Sequence, residues 1–537
     1  MRDKVCPCRF VKGAVFALLS VAVSAMGHRC DAETHVCSSK PLQKIAGANI
    51  DILTAVSLAG EGNKFRYCSI LGTLRTTSDG SGAPAPGSAR FQLNLPEEWN
   101  GRFVMFGVGG FAGNLTPSAN PVDVAEALPA GYAVAINDGG HNTPPEIAVD
   151  GSFAERGDST ANPTTIVDYF WRATHQSTVL LKQLVRAFYR RDIDHSYFDG
   201  CSNGGRQGLI EAERFPADYD GIISGAPFLD MRLMLGDVKV QKAALASPES
   251  RLWPEDLRLI DQFVLAQCDR LDGTVDGLIQ NPRRCKVDFE ALRCRNNVEK
   301  NCLKSGQIAT IRAFLANTTD SKGNVIYPGF AVGNILGGGG AIFQFGTTSQ
   351  KTPPRGQTWP PHNGPIEYEF DVEVLKYFVL RDKNFSFLSY PVGVDGIVDS
   401  ATLKRYDRAT AEGSALDVAA LRRYLNSGRK LILYHGYADT AISPYSTVDF
   451  YRRLNDPAAM LFMVPNMGHC GGGGVPDEFD TLRLLENWRE KKQRPTSILA
   501  ANKRLPSQTM LICPYPKEAR QLKPETDTAT HLECTAP

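Results

Sequence analysis

Ser196-Tyr197-Phe198-Asp199-Gly200-Cys201-Ser202-Asn203-Gly204-Gly205-Arg206-Gln207 passes from an apolar run into a helical one across a serine flanked by glycines. Tyr197 and Phe198 read as the end of a buried strand, and Gln207 to Arg214 as a helix. Between them, Gly200-x-Ser202-x-Gly204 has the form of a nucleophile elbow. That strand-to-helix turn is too sharp to admit bulk beside its serine. The helix N-terminus turns its free amides and the positive end of its dipole toward the place where an oxyanion forms. An ordinary βα turn has similar glycines, so the strand before and the helix after carry the reading.

The same alternation extends outward. Phe103-Val104-Met105-Phe106 reads as a buried strand ending in Gly107-Val108-Gly109-Gly110, and Tyr132 to Ile136 as another ending in Asn137-Asp138-Gly139-Gly140-His141. Val179, Leu180, Leu184, Val185 and Phe188 recur at helical spacing. After a long gap the strand logic returns at Lys430 to Tyr434, followed by a helix around Ser446 to Leu454 and a strand from Ala459 to Val464. Strands alternating with helices predict a mostly parallel sheet with its active residues at the carboxyl ends of strands. The expected class is α/β: an α/β-hydrolase fold with a large inserted lid. The expected division is a signal peptide over 1–25, core over 26–228, lid over 229–417 and core again over 418–537. The lid stretch holds clustered cysteines, the run Gly337 to Gly340 and pairs such as Pro353-Pro354. The alternative is an independent domain.

Composition excludes several classes. There are 59 basic and 58 acidic residues, a net charge of +1, so nothing favours nucleic acid or an anionic membrane as partner. A basic start (Arg2, Lys4, Arg9, Lys12), the apolar run Ala14 to Ala25 and the small residues Val23-Ser24-Ala25 read as a cleaved secretory signal. The expected location is secreted or periplasmic. Of the 13 cysteines, Cys6 and Cys8 would leave with the signal and Cys30 is left over. The remaining ten form an even set, as an oxidising compartment favours. Sequence does not fix connectivity. Pairing near neighbours joins Cys37 to Cys68, Cys268 to Cys285, Cys294 to Cys302 and Cys513 to Cys534, which leaves Cys201 and Cys470.

A serine nucleophile needs a base, and the base an orienting carboxylate, in the order Ser, Asp or Glu, His for this fold. His469 lies in a loop just past the strand ending at Val464, and Asp439 just past the strand ending at Tyr434. Asp477, Glu478 and Asp480 follow the histidine, the wrong order. Ser202, Asp439 and His469 are thus the expected triad. The backbone N–H groups of Asn203 and Gly110 are the expected oxyanion hole. Cys201 precedes the nucleophile and Cys470 follows the base, so a bridge between them would hold both loops in register. A thiolate nucleophile at Cys201 is the competing assignment.

Cys-Ser-x-Gly-Gly at 201–205, Asp439 and His469-Cys470 resemble the tannase and feruloyl esterase family, from about Cys37 to the C-terminus. The resemblance implies an α/β-hydrolase with a lid, the triad named above and a Cys201–Cys470 bridge beside it. It implies a substrate contact from His435 and an aromatic (galloyl, feruloyl or related) ester as the small-molecule substrate. It also implies a structural Ca²⁺ in the lid, held by the side chains of Asp269, Asp272 and Asp276 and the carbonyls of Thr274 and Leu278. The loop Cys268-Asp269-Arg270-Leu271-Asp272-Gly273-Thr274-Val275-Asp276-Gly277 has hard oxygen donors on a tight turn, which suits that ion, although Gln280 at the twelfth position departs from an EF-hand. Trp359, Tyr377 and Phe378 are candidates to clasp a ring, or else core. An esterase of non-aromatic esters and a catalytically silent ligand-binding protein are the alternatives. The oligomeric state has no readable signal.

Overall fold

In the computed structural model the described residues are 36–77, 85–144, 149–296, 300–413, 417–521 and 532–536. The expected signal segment and Cys30 lie outside them. A nine-stranded sheet runs through the molecule. Its strands are β1 (Ile50–Ala59), β2 (Arg66–Thr76), β3 (Gly87–Pro96), β4 (Arg102–Phe106), β5 (Ala133–Asn137), β6 (His195–Cys201), β7 (Gly221–Gly225), β8 (Lys430–Gly436) and β9 (Ala459–Val464). Their spatial order is β1-β2-β3-β5-β4-β6-β7-β8-β9. β1, β2, β3 and β5 pair antiparallel; from β5 to β9 every pairing is parallel.

The parallel strands are apolar on both faces because both faces are covered. Phe103, Met105, Phe198, Ile222, Leu431, Leu433 and Leu461 enter one core. Their neighbours Val104, Phe106, Tyr197, Ile223, Ile432, Tyr434 and Phe462 enter the other, as the two-residue period of a strand requires. Helices α1 (Ala173–Tyr189) and α2 (Asn203–Arg214) cover the first core; Leu482, Leu485 and Trp488, on the helix Thr481–Lys491, cover the second. The strands read from the sequence at 103–106, 132–136, 430–434 and 459–464 are β4, β5, β8 and β9 to within two residues. β1, β2 and β3 were not read. β2 and β3 carry a period-two pattern of their own, with Ala89, Phe91, Leu93 and Leu95 buried between Ser88, Arg90, Gln92 and Asn94 in β3.

Between β7 and β8 the chain leaves the large sheet. The stretch folds mainly as helices, including Leu233–Ala244, Pro254–Cys268, Ser305–Leu315 and Ile366–Glu373, around a third core that it shares with residues such as Val108, Phe111, Tyr169 and Phe170. Five disulfides close, Cys37–Cys68, Cys201–Cys470, Cys268–Cys285, Cys294–Cys302 and Cys513–Cys534, the same five pairs the sequence suggested. Among the described residues no helix is long and apolar enough to cross a membrane.

Candidate active site

Ser202 sits at the turn from β6 into α2 with φ 63° and ψ −124°, a backbone conformation that side-chain-bearing residues rarely adopt. The turn is possible because its flanks lack Cβ atoms. A Cβ at Gly200 would lie 2.4 Å from the carbonyl carbon of Gly204, and one at Gly204 would lie 2.7 Å from the Ser118 carbonyl oxygen. Local strain held by close packing points Ser202 out of the sheet, where it lines a cavity of about 300 Å³.

Four strand ends contribute to that cavity. Gly109 and Gly110 follow β4, Ser202 and Asn203 follow β6, Ala441 and Ile442 follow β8, and His469 and Cys470 follow β9. The backbone N–H groups of Asn203 and Gly110 have no protein acceptor among the described residues. Both residues line the cavity, so the pair is positioned as donors to a ligand oxygen.

The loop carrying Gly110 is fastened to α2 by side chains that sequence reasoning did not single out. Asn203 Nδ2 donates to the Val108 carbonyl (2.9 Å), and Val108 N–H donates to Gln207 Oε1 (3.0 Å). Asn203 is itself held by the buried Arg206, whose Nε and Nη2 donate to Asn203 Oδ1 at 2.9 and 2.6 Å. The guanidinium also donates to the Phe170 carbonyl (3.0 Å). Nothing in the spacing of Asn203, Arg206 and Gln207 signals this, because it depends on where the β4 loop arrives.

His469 Nδ1 is bonded to Asp439 Oδ2 at 2.8 Å. With Nδ1 as the donor, Nε2 is left to accept a proton. Asp439 is buried, and its other oxygen accepts from the N–H groups of Ala441 (2.8 Å) and Ile442 (2.9 Å). Burial alone would push the Asp439 carboxyl upward. The charge of His469 and the hydrogen bonds from both His435 and His469 outweigh it and hold the group below the usual carboxylate range. The Cys201–Cys470 bridge, spanning 269 residues of sequence, joins the neighbours of Ser202 and His469. It also excludes a thiolate at Cys201. Ser202 and His469 border the same cavity, with no hydrogen bond between them among the described residues. Such bonds commonly tighten only around a substrate.

His435 departs from its expected role. It is fully buried and does not line the cavity. Its Nε2 lies 3.0 Å from Asp439 Oδ2 and its Nδ1 2.8 Å from Thr447 Oγ1. The i, i+4 spacing puts it beside the acid but behind it, so it supports Asp439 instead of touching substrate. Trp359 and Phe378 are buried in the core of the insertion and Tyr377 packs against it; none lines the cavity. The aromatic walls are Phe111, Tyr169, Phe228, Phe343 and Phe370.

In the loop after Cys268, Asp269 and Asp272 are nearly buried and Gly273 and Gly277 turn the chain at positive φ. Asp269 Oδ1 accepts from the Gly277 amide (3.1 Å), Asp272 Oδ1 from the Thr274 amide (3.0 Å) and Asp276 Oδ1 from the Leu278 amide (3.0 Å). Burial, then the Asp272 and Asp269 charges, push Asp276 upward. This excess of hard negative oxygens fits a calcium ion in donor chemistry. The three carboxylates do not converge on one point; among the described residues only His175, Glu211 and Asp218 do so.

Residues 68–534 match the family model of tannase and feruloyl esterase. The chain is 28% identical over 525 residues to the mono(2-hydroxyethyl) terephthalate hydrolase of Piscinibacter sakaiensis, covering 88% of this chain and 85% of that protein. It is 30% identical over 405 residues to feruloyl esterase C of Talaromyces stipitatus, covering 71% and 66%. Its fold superposes on feruloyl esterase B from Aspergillus oryzae with a TM-score of 0.74 at 23% identity, covering 92% and 98%. For a tannin acyl hydrolase from Aspergillus niger the TM-score is 0.69 at 18% identity, covering 94% and 96%. With a match that spans most of its length, the chain belongs to the tannase and feruloyl esterase family and is a carboxylic ester hydrolase with an α/β-hydrolase fold.

Proposed function

We propose that this enzyme cleaves esters of aromatic acids through a Ser202–His469–Asp439 triad and an acyl-enzyme. His469 Nε2 takes the Ser202 proton as Oγ attacks the ester carbonyl. The N–H groups of Asn203 and Gly110 receive the developing oxyanion, and His469 returns the proton to the departing alcohol. Water then releases the acid by the same route. Asp439 stays ionised and holds the imidazole in the tautomer that this needs. The observation that carries the reading is the 2.8 Å contact of His469 Nδ1 with Asp439, in a cavity that Ser202 also borders.

The aromatic preference is supported by the walls: five aromatic side chains surround a cavity sized for one ring and a short linker. Phe343 and Phe370 come from the insertion, which supports its role as a lid. Five disulfides support export to an oxidising compartment after removal of residues 1–25. A structural Ca²⁺ would be held by Asp269, Asp272 and Asp276 with the carbonyls of Thr274 and Leu278, and would neutralise the loop that Cys268–Cys285 closes.

The test is a fluorophosphonate label followed by peptide mapping, with hydrolysis of methyl ferulate, methyl gallate and short aliphatic esters measured alongside. The expected result is label on Ser202, none on S202A, and faster turnover of the aromatic esters. Folded protein that hydrolyses esters without labelling at Ser202 would overturn the triad. A preference for the aliphatic esters would overturn the substrate class.

A further inference from the structure

Glu367 is out of place in the wall of this cavity. Apart from the groups around Ser202 and His469, the lining is mostly apolar, with Phe228, Leu233, Met234, Phe343, Phe370 and Ile442 prominent. Glu367 is the one carboxyl in it among the described residues, and it is only 3% exposed. It stands in the first turn of the helix Ile366–Glu373, one turn before the buried Asp371 and beside the buried Asp237 of the helix Leu233–Ala244. No N–H or hydroxyl group of the protein donates to it among the described residues. Its nearest polar company is another acid, Asp237, whose Oδ2 is likewise buried with no donor among the described residues. Asp237 is held in turn by Gln344 Nε2, which donates to Oδ1 at 2.8 Å and also to the Thr440 carbonyl at 3.0 Å.

A carboxyl bordering a ligand cavity without a cation is costly unless it is neutral and bonded. Burial, then the charges of Asp237 and Asp439, push Glu367 well above the usual carboxylate range. Its surroundings therefore favour the protonated form, whose hydrogen can be shared with Asp237. One oxygen is left as a bare acceptor beside aromatic walls. The group that satisfies such an acceptor, and fits between rings, is an O–H on an aromatic ring. An ionised carboxylate on that ring has no hydrogen to donate, and it would bring a charge into surroundings whose burial already disfavours one.

We infer that Glu367 is a specificity-determining residue, whose carboxyl accepts a hydrogen bond from a phenolic hydroxyl on the ring of the ester and disfavours a ring that bears a carboxylate. The inference rests on the aromatic-ester reading above and narrows it. It sets this chain apart from its relative named for a terephthalate monoester, whose free acid group would meet Glu367.

The experiment compares kcat/KM for methyl 4-hydroxycinnamate, methyl cinnamate and the monomethyl ester of terephthalate, each corrected for its rate of base hydrolysis. In the wild-type enzyme the hydroxylated ester is expected to exceed its unsubstituted twin by about tenfold, the worth of one buried hydrogen bond. The terephthalate monoester is expected to fall below both. E367L should bring the first ratio to within about threefold of one, whereas E367Q, which keeps an acceptor oxygen, should preserve it. A wild-type ratio near one, or an unchanged ratio in E367L, overturns the assignment while leaving the aromatic-ester reading intact. Turnover of aliphatic esters with none of the aromatic ones would end that reading and this assignment together.

Discussion

Two sets of buried acids lie close together and are treated in opposite ways. Asp439 receives two backbone amides and two imidazoles, and is held ionised below its ordinary range. Asp237, Glu367 and Asp371 have one amide side chain among them, from Gln344, and are pushed upward by burial first; the Asp439 charge adds to this at Asp237 and Glu367, and the Asp237 charge at Glu367 and Asp371. The contrast teaches that depth alone does not set the charge of a carboxyl. Donors do: each N–H aimed at an oxygen favours the anion, and each unpaired acid nearby disfavours it. On the reading proposed above, one chain thus favours an anion beside the base and the protonated form of the acids beside the ring.

The sharpest way to break the contrast is D439N. The amide cannot stabilise a positive imidazole and invites the wrong tautomer, so kcat should fall about 10⁴-fold with the fold intact. A loss under tenfold would mean that Asp439 does not orient the base. A smaller step is H435F, which removes one of the two imidazoles from Asp439 and leaves Thr447 without its partner. A fall of about 10- to 100-fold in kcat with KM little changed is expected, the worth of a hydrogen bond to a charged group. A rise in KM alone would restore His435 as a substrate contact.

Stability separates the two sets further. The loop at Asp269, Asp272 and Asp276, for which we propose a calcium ion, is a third arrangement, with acids facing their own amides. Chelation with EGTA should lower Tm by about 5 °C, reversed by Ca²⁺ and not by Mg²⁺. An unmoved Tm would count against the ion. The smallest effect concerns D237N. Asp237 is pushed up to about 8, so the folded state holds a proton that the unfolded chain releases near pH 4. Stability contributed by this site therefore declines as pH rises from about 4 to about 8. Asp439 has the opposite sign: its contribution is present above the unfolded value and is lost as pH falls toward its lowered one. D237N should raise Tm by about 2 to 4 °C at pH 8 and leave it unchanged at pH 4. An equal shift at both values would refute the assignment of charge.

The catalytic end of the molecule was legible because it obeys a rule of position. In a parallel sheet the reacting groups follow strand ends, and Ser202, Asp439 and His469 each stand within five residues of one. The acid's surroundings were not legible. His435 and Asp439 are one helical turn's spacing apart on a strand and loop, a distance that gives proximity without direction. Glu367, with Glu369 and Asp371 near it, has the look of a solvated helix face; only the arrival of the helix Leu233–Ala244 with Asp237 buries it. The strands β2 and β3 did have a signal, since Cys68, Ile70 and Leu74 in β2 and Phe91, Leu93 and Leu95 in β3 alternate with exposed or half-buried neighbours. The amides and side chains that shape charge come from segments hundreds of residues apart, and local pattern carries no trace of them.

The order of the parts along the chain has a consequence for biosynthesis. The proposed nucleophile is translated at residue 202, but its proposed base and the sulfur that tethers that base come at 469 and 470, after the whole helical insertion. A nascent polypeptide therefore leaves the ribosome with a serine that has nothing to give its proton to. Prematurely terminated products lack the imidazole altogether, so hydrolytic power appears only once nearly the full message has been read.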